Sequence, residues 1–357
     1  MTGARQADGH DRPLLVGVDV GGSKIAVLVV DRDERVLARQ VAPTAAGAPE
    51  RAADEIAAVV GRALTQADAS IDHVAAIGVG VPGRVDPLSG AVTLAVNLGW
   101  TDLPLGSQLE TRFGRPCVVE NDVRAAALGL HRRHVVGDID DLAYLAVGTG
   151  VSAGVVLHGR LHRGARGLAG EIGHVIVEPD GARCACGQKG CLETLVSGSA
   201  IARLAREAIG SGRPTTLAAT RATGADRTPT DSDPTAVDVY RAAASGDPLA
   251  TEIADAVGHR LAWAVHLLVM TYDVERVVLG GGVSHAGETF LLPIRRELDR
   301  MRAASALARE QLVPDIVELL PTGADAGAWG AVVIAAAAHA RIGAGQGWEE
   351  VGHVRET

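Results

Sequence analysis

The chain has 357 residues, too many for one small domain and comfortable for two. Its 47% hydrophobic and 22% charged content excludes wholesale disorder. With 3% aromatics and 44 glycines, the core must be built from Ala, Val, Leu and Ile with many turns between. A formal charge of −9 argues against a protein held mainly by nucleic acid phosphates, so no nucleic acid partner is expected.

Residues 1–13 are polar, lack the apolar stretch of a secretory signal and read as a disordered leader. Residues 14–30, LLVGVDVGGSKIAVLVV, read as two apolar strands joined at a Gly-Gly turn, with a third strand over 35–42. Residues 49–67 carry Ala, Ile, Val and Leu at helical spacing. A buried strand follows at 74–81, another at 116–120, then an Ala-rich helix over 123–132. The order β-β-β-α-β-α predicts a mixed sheet covered by helices. Residues 142–158 repeat the strand, Gly-rich turn, strand pattern, a hint of duplication between the halves. Helices are expected at 197–209, 249–271, near 288–302 and at 325–341, with a strand at 276–279. Residues 211–235 lack periodicity and read as a mobile surface insertion. No run of about eighteen apolar residues lacks a charge or turn former, so no membrane span is expected.

Three of the four cysteines, Cys184, Cys186 and Cys191, cluster behind His174. A secreted disulfide framework would spread them, so the clustering points to a cytoplasmic protein with a metal. Zinc takes four N or S ligands in a tetrahedron, and the C-x-C-G-x-x-G-C loop folds three thiolates around one centre. One His and three Cys fill that shell, so the site is expected to be structural; the bland alternatives are a reducible disulfide or chance.

Asp19-Val20-Gly21-Gly22-Ser23-Lys24 joins two strands. Paired glycines let backbone N–H groups face a phosphate, Ser23 and Lys24 add a hydroxyl and a charge, and Asp19 suits Mg2+ through water. An ordinary hairpin turn explains the same residues. Gly148-Thr149-Gly150 and Gly280-Gly281-Gly282 follow strands in the same way, and three such turns suit a bound nucleotide. Gly78-x-Gly80-x-x-Gly83 matches a dinucleotide fingerprint, but Pro82 and the residues after it read as a turn with no helix, against a dehydrogenase.

Glu120-Asn121-Asp122 sits where a strand stops and a helix begins. Asp122 there is either a helix cap or a general base at the carboxyl end of a strand. Asn121 offers a donor and an acceptor to a polyol, and Glu171 and Glu193 bracket the cysteine loop. Solvated surface carboxylates remain the competing reading.

DVGGSK, GVGVPGRVD, AVNLGW, VENDVRAAA, VGTGVSAG, GEIGH, CACGQKGCLE and LGGGVS, in that order, resemble the ROK family of repressors and sugar kinases, its bacterial glucokinases most of all. The resemblance runs from Leu14 to Arg341. It implies a two-lobed α/β fold of the actin-like, ribonuclease-H-like ATPase class with sugar and ATP in the cleft. The lobes are expected at 14–135 and 136–341, with a zinc loop at 174–193 and a tail at 342–357. It further implies ATP·Mg2+-dependent phosphorylation of a hexose, usually at the 6-hydroxyl, with Asp122 as the base. Asn121, Glu171, His174 and Glu193 would contact the sugar, with Gly83 and Asn97 lining the same pocket. His174, Cys184, Cys186 and Cys191 would hold structural Zn2+, one imidazole nitrogen on the metal and the other toward the sugar. Gly21, Gly22, Ser23, Lys24, Thr149 and Gly150 would face the phosphates, and Gly281 and Gly282 the adenosine. The family's habit also implies a homodimer or homotetramer.

Three departures stand out. Ser152-Ala153 replaces Gly-Gly, Ser23 replaces Thr, and Val123-Arg124 replaces the Ala-Asn that commonly follows END. Arg124, one turn from the base, is expected to reshape the sugar pocket or its surroundings, which brings aminosugar kinases, kanosamine 6-kinases or N-acetylhexosamine kinases, into view. The family's repressors carry a helix-turn-helix of roughly 60 residues, and only thirteen residues precede the first strand.

Overall fold

A computed structural model describes residues 13–44, 47–217 and 233–344. The expected leader up to residue 12, the middle of the expected insertion (218–232) and the tail beyond 344 lie outside the described residues. The chain forms two compact units: Met1–Asp138 with Arg160–Ala169 and Gly323–Thr357, and Ile139–Gly159 with Gly170–Thr322.

The first unit opens with β1 (Leu14–Val20), β2 (Lys24–Val30) and β3 (Val36–Pro43), followed by α1 (Ala52–Gln66) and β4 (Val74–Val81). A meander of β5 (Arg84–Val85), β6 (Val92–Ala95) and β7 (Trp100–Leu103) leads into α2 (Leu105–Phe113), β8 (Cys117–Asn121) and α3 (Asp122–Arg132). The main sheet runs β3-β2-β1-β4-β8. Within it β1 is antiparallel to β2 and parallel to β4, with Asp19 opposite Gly80. Inward residues such as Val16, Val18, Ile77 and Val79 meet Ile56 and Val60 of α1, which accounts for the apolar runs in the sequence.

The second unit holds β9 (Leu142–Val147) and β10 (Val151–Leu157). β11 (Arg160–His162) follows and groups with the first unit. The second unit resumes with α4 (Glu193–Val196), α5 (Gly198–Gly210), α6 (Ala236–Ala244), α7 (Pro248–Tyr272) and β12 (Arg276–Gly280). It closes with α8 (Glu288–Ala304), α9 (Ala306–Gln311) and β13 (Val317–Leu319). Its strands run β10-β9-β12-β13, again an antiparallel hairpin whose first strand is parallel to the next one in. Leu145, Val155, Leu261, Leu268, Phe290 and Ile294 share its core.

The chain then returns to the first unit as α10 (Ala326–Gly343). This corrects the expected placement of 325–341 in the C-terminal lobe. The physical reason is the small-residue face of α10, which lets its backbone lie directly on β4: a Cβ on Gly78 would sit 1.9 Å from the Ala331 carbonyl oxygen. Both α7 and α10 are long and apolar enough to cross a membrane, and about half of each is buried, as in core helices of a globular unit.

Candidate active site

The carboxyl ends of β1, β4 and β8 gather the first group of site residues. Asp19 ends near Gly80, and a Cβ on Gly80 would lie 3.4 Å from the Asp122 Cα and 3.8 Å from Asp19 Oδ1. Asn121, not Asp122, caps α3: its Oδ1 accepts the Arg124 N–H at 3.0 Å. Its Nδ2 donates to the Gly83 carbonyl at 3.0 Å and to Asp122 Oδ1 at 3.1 Å. Asp122 Oδ1 also accepts the Val123 N–H at 2.9 Å. The Asp122 side chain is therefore aimed, not required for capping. The Asn121 amide hydrogens are already spent on holding the turn.

Both carboxyls are raised above the ordinary range. Burial, reinforced by the neighbouring Asp19 charge and opposed by local N–H groups and Arg124, lifts Asp122 to about 7. Burial lifts Asp19 to about 6, opposed by Lys24 and reinforced by Asp325. Each retains partial solvent access, so the shift reflects a depression walled by protein and not a sealed core. The first turn of α10 abuts Asp19: a Cβ on Gly327 would fall 2.6 Å from its carboxylate.

The Gly21-Gly22-Ser23 turn is closed by the Gly21 N–H donating to the Lys24 carbonyl at 2.7 Å, and Ser23 and Lys24 are exposed. A Cβ on Gly22 would meet nothing within 4 Å, and the residue lies outside the left-handed region. Neither packing nor a positive φ demands glycine there, which leaves an open backbone for a ligand to approach. Asn97 is exposed in a short 3-10 turn after β6.

In the second unit the Gly148–Gly150 turn is closed by a Gly148 N–H to Gly150 carbonyl bond of 2.9 Å, with Thr149 exposed at its tip. Glu193 Oε2 accepts the Val151 N–H at 2.9 Å, so this carboxylate ties the turn to the cysteine loop. Spacing alone does not reveal that tie. Gly281 adopts φ +84°, and a Cβ there would lie 2.5 Å from the Val147 carbonyl oxygen. Beyond it lies a pocket of about 200 Å3 lined by Ala236, Val237, Tyr240, Val283, His285 and Thr289. No motif in the sequence marks the α6 side of this pocket. Ser152 leans toward the Gly170 carbonyl at 3.4 Å and the Ala153 methyl is buried in the core, so neither departure crowds the glycine turn.

His174, Cys184, Cys186 and Cys191 place their ligand atoms within 4.8 Å of one another. Cys184 Sγ lies 3.7 Å from His174 Nδ1 and Cys186 Sγ lies 3.6 Å from Cys191 Sγ. Zinc–sulfur bonds of about 2.3 Å give tetrahedral edges of about 3.8 Å, so the donors fit zinc. Burial pushes the Cys191 thiol up to about 12, and a cation is what holds such a group as thiolate at neutral pH. Nδ1 faces the cluster, which leaves Nε2 of the exposed His174 for other work. Glu171 is half-buried and, among the described residues, has no side-chain partner.

Arg124 does not crowd this site. Its side chain is buried and turns to Glu120 and the Gly167 carbonyl.

Two sheets, each an antiparallel hairpin continued by parallel strands, carry glycine turns, a carboxylate pair and a three-cysteine, one-histidine cluster; together they define the actin-like class of sugar-kinase folds. The ROK family model matches residues 15–338. A glucokinase of Halalkalibacterium halodurans is 35% identical over 286 residues, 80% of this chain and 84% of that one. A ROK family glucokinase of Streptomyces griseus, solved with glucose and AMPPNP, superposes with a TM-score of 0.73 at 33% identity, covering 91% of this chain and 99% of that one. A putative xylose repressor of a Caldicellulosiruptor species is 35% identical over 200 residues, 56% of this chain and 50% of that one. The chain belongs to the ROK family and is a sugar phosphotransferase.

Proposed function

We propose that the protein is an ATP-dependent hexose kinase that phosphorylates the 6-hydroxyl of glucose or a close glucose analogue. The observation that carries this reading is Asp122: aimed by Asn121 and the Val123 N–H, and raised to about 7, it is poised to exchange a proton near neutral pH. Asp122 takes the proton of the sugar hydroxyl as its oxygen bonds the terminal phosphorus and the bond to ADP breaks. In such transfers the protein mainly positions groups and offsets charge. Asp19 would hold Mg2+, which would supply charge neutralisation at the phosphates.

The open Gly21–Lys24 turn, with Thr149 and Gly150, faces the phosphates, while Gly281, Gly282 and the pocket beyond them take the adenosine. Asn121, through the remaining lone pair of its Oδ1, Glu171, Glu193 and Nε2 of His174 meet sugar hydroxyls, with Gly83 and Asn97 at the pocket's edge. His174, Cys184, Cys186 and Cys191 would hold zinc, which would fix the orientation of the imidazole. The relatives named glucokinase support glucose as the first acceptor to try, and we place the enzyme in the cytoplasm on the clustering of its cysteines.

With purified protein, ATP and Mg2+, ADP release should require an added hexose. A panel of glucose, mannose, N-acetylated hexosamines and 3-amino-3-deoxyglucose identifies the acceptor. Preference for the amino sugar would move the enzyme to the aminosugar kinases. Silence on every sugar, with sequence-specific DNA retardation, would replace the kinase by a repressor.

A further inference from the structure

Glu120, two residues before the base, is buried at 4% exposure, and both its carboxylate oxygens are engaged. Oε1 accepts from Arg124 Nε at 2.8 Å and from the Asn121 N–H at 2.9 Å. Oε2 accepts from Arg163 Nε at 2.6 Å. Arg124, itself 3% exposed, reaches further to the Gly167 carbonyl through Nη1 at 2.5 Å. A guanidinium alone can span these two acceptors, because its donors form a rigid planar fork.

The clasp joins two stretches of the first unit that are distant in sequence. One is the turn carrying Asn121 and Asp122. The other is the Arg160–Ala169 stretch, which closes on itself through the Ala169 N–H to the Arg163 carbonyl at 3.1 Å and leads directly into Gly170 and Glu171. Arg124 acts on the turn twice: its backbone N–H is capped by Asn121, and its side chain holds the carboxylate that accepts the Asn121 N–H.

We propose that Arg124, with Glu120 and Arg163, is a positioning residue for the sugar acceptor, setting where Asn121 and the approach to Glu171 stand, without touching the nucleotide. The inference rests on the hexose kinase reading above. Arginine at 124 is then a working part of the acceptor side and not an intrusion into it. A buried ion pair broken on one side is strongly destabilising, so the test must separate positioning from folding.

Two variants do this. Arg124→Lys keeps the charge but, as a point donor, cannot span Glu120 and the Gly167 carbonyl. The double variant Glu120→Leu with Arg124→Met replaces the buried pair by apolar groups of similar volume and leaves only the partly exposed Arg163 without its carboxylate, and no orphaned buried charge. In both, the KM for glucose should rise about tenfold while the KM for ATP stays within about twofold, at a temperature well below the melting point. Titration calorimetry of glucose binding should show the same weakening, and it decides the matter if turnover is absent. An acceptor KM or glucose affinity that is unchanged in both folded variants, or donor and acceptor constants that rise together, overturns the proposal. A wild-type chain that binds glucose but transfers nothing would sink the kinase reading alone. One that binds no hexose at all would sink the clasp's role with it.

Discussion

The two units are built on one plan and equipped differently. In the first, β1 pairs antiparallel with β2 and parallel with β4, with Asp19 opposite Gly80; in the second, β9 pairs with β10 and β12, with Ala146 opposite Gly280. The two registers make Ala146 the counterpart of Asp19. Likewise β8 ends in Glu120-Asn121 with Asp122 next, whereas β13 ends at Leu319 ahead of Leu320 and Pro321. The buried carboxylates at the strand ends thus stand in the first unit. The second carries a glycine turn, a pocket and the histidine–cysteine cluster. One strand plan accepts quite different chemistry when a few strand-end residues differ.

The sharpest way to break that contrast is to remove its centre. Asp122→Asn keeps the size of the side chain and deletes the proton acceptor. It should lower kcat by about 10²–10⁴ in a coupled ADP assay with circular dichroism unchanged. If the neutral variant turns over normally, the carboxylates of the first unit are not what distinguishes it. The cysteine cluster tests the other half. Metal analysis should find one zinc per chain, and chelation or Cys186→Ser should lower the melting temperature on the order of 10 °C and abolish turnover with it. Full stability and activity without metal would reduce the cluster to spectator thiols.

The sheets are legible in the sequence because each hairpin is written as two apolar runs broken by glycine. Asp122, the glycine turns and the cysteine loop are legible as candidates because their residue types sit at strand ends or at ligand spacing. The β5–β7 meander is not. Its strands have two to four residues, with Thr101 and Asp102 exposed between buried Trp100 and Leu103, so no periodicity develops. Nor is the return of α10 to the first unit. Contiguous reading keeps a helix with its neighbours, and only the pairing of Gly17 and Gly78 with the small residues of α10 betrays the contact. Arg124 stands out in the sequence for its bulk, but Glu120 lies on β8 and not on α3, so helical spacing does not reveal the partner that turns it away.

That α10 contact leads to a subtler variant. Gly327 lies in the first turn of the helix, where alanine is the better helix former by about 1 kcal/mol. Its missing Cβ is the space the Asp19 carboxylate occupies. Gly327→Ala should therefore leave the melting temperature level or raised while kcat drops about ten- to a hundredfold as Asp19 is displaced. A loss of stability with kcat intact would make Gly327 a packing residue and nothing more.

The smallest expected effect is on the pH profile, and it isolates the coupling between the two carboxylates. Asp122 must be ionised to accept a proton, so activity should rise with pH through about 7. Asp19 raises Asp122 through its charge, and Asp19 itself ionises at about 6, just below that limb. Raised carboxyls also mean that the folded state binds protons more tightly than the unfolded chain. Their ionisation therefore costs nothing below the ordinary value of 3.8 and its full penalty above about 7. Asp19→Asn should shift the acid limb of the residual activity downward, and Asp122→Asn should raise the melting temperature at pH 8 while leaving it level at pH 4. A limb that stays in place when Asp19 is neutralised would mean that burial alone tunes the base. The contrast between Asp19 and Ala146 would then rest on something other than electrostatic coupling to Asp122.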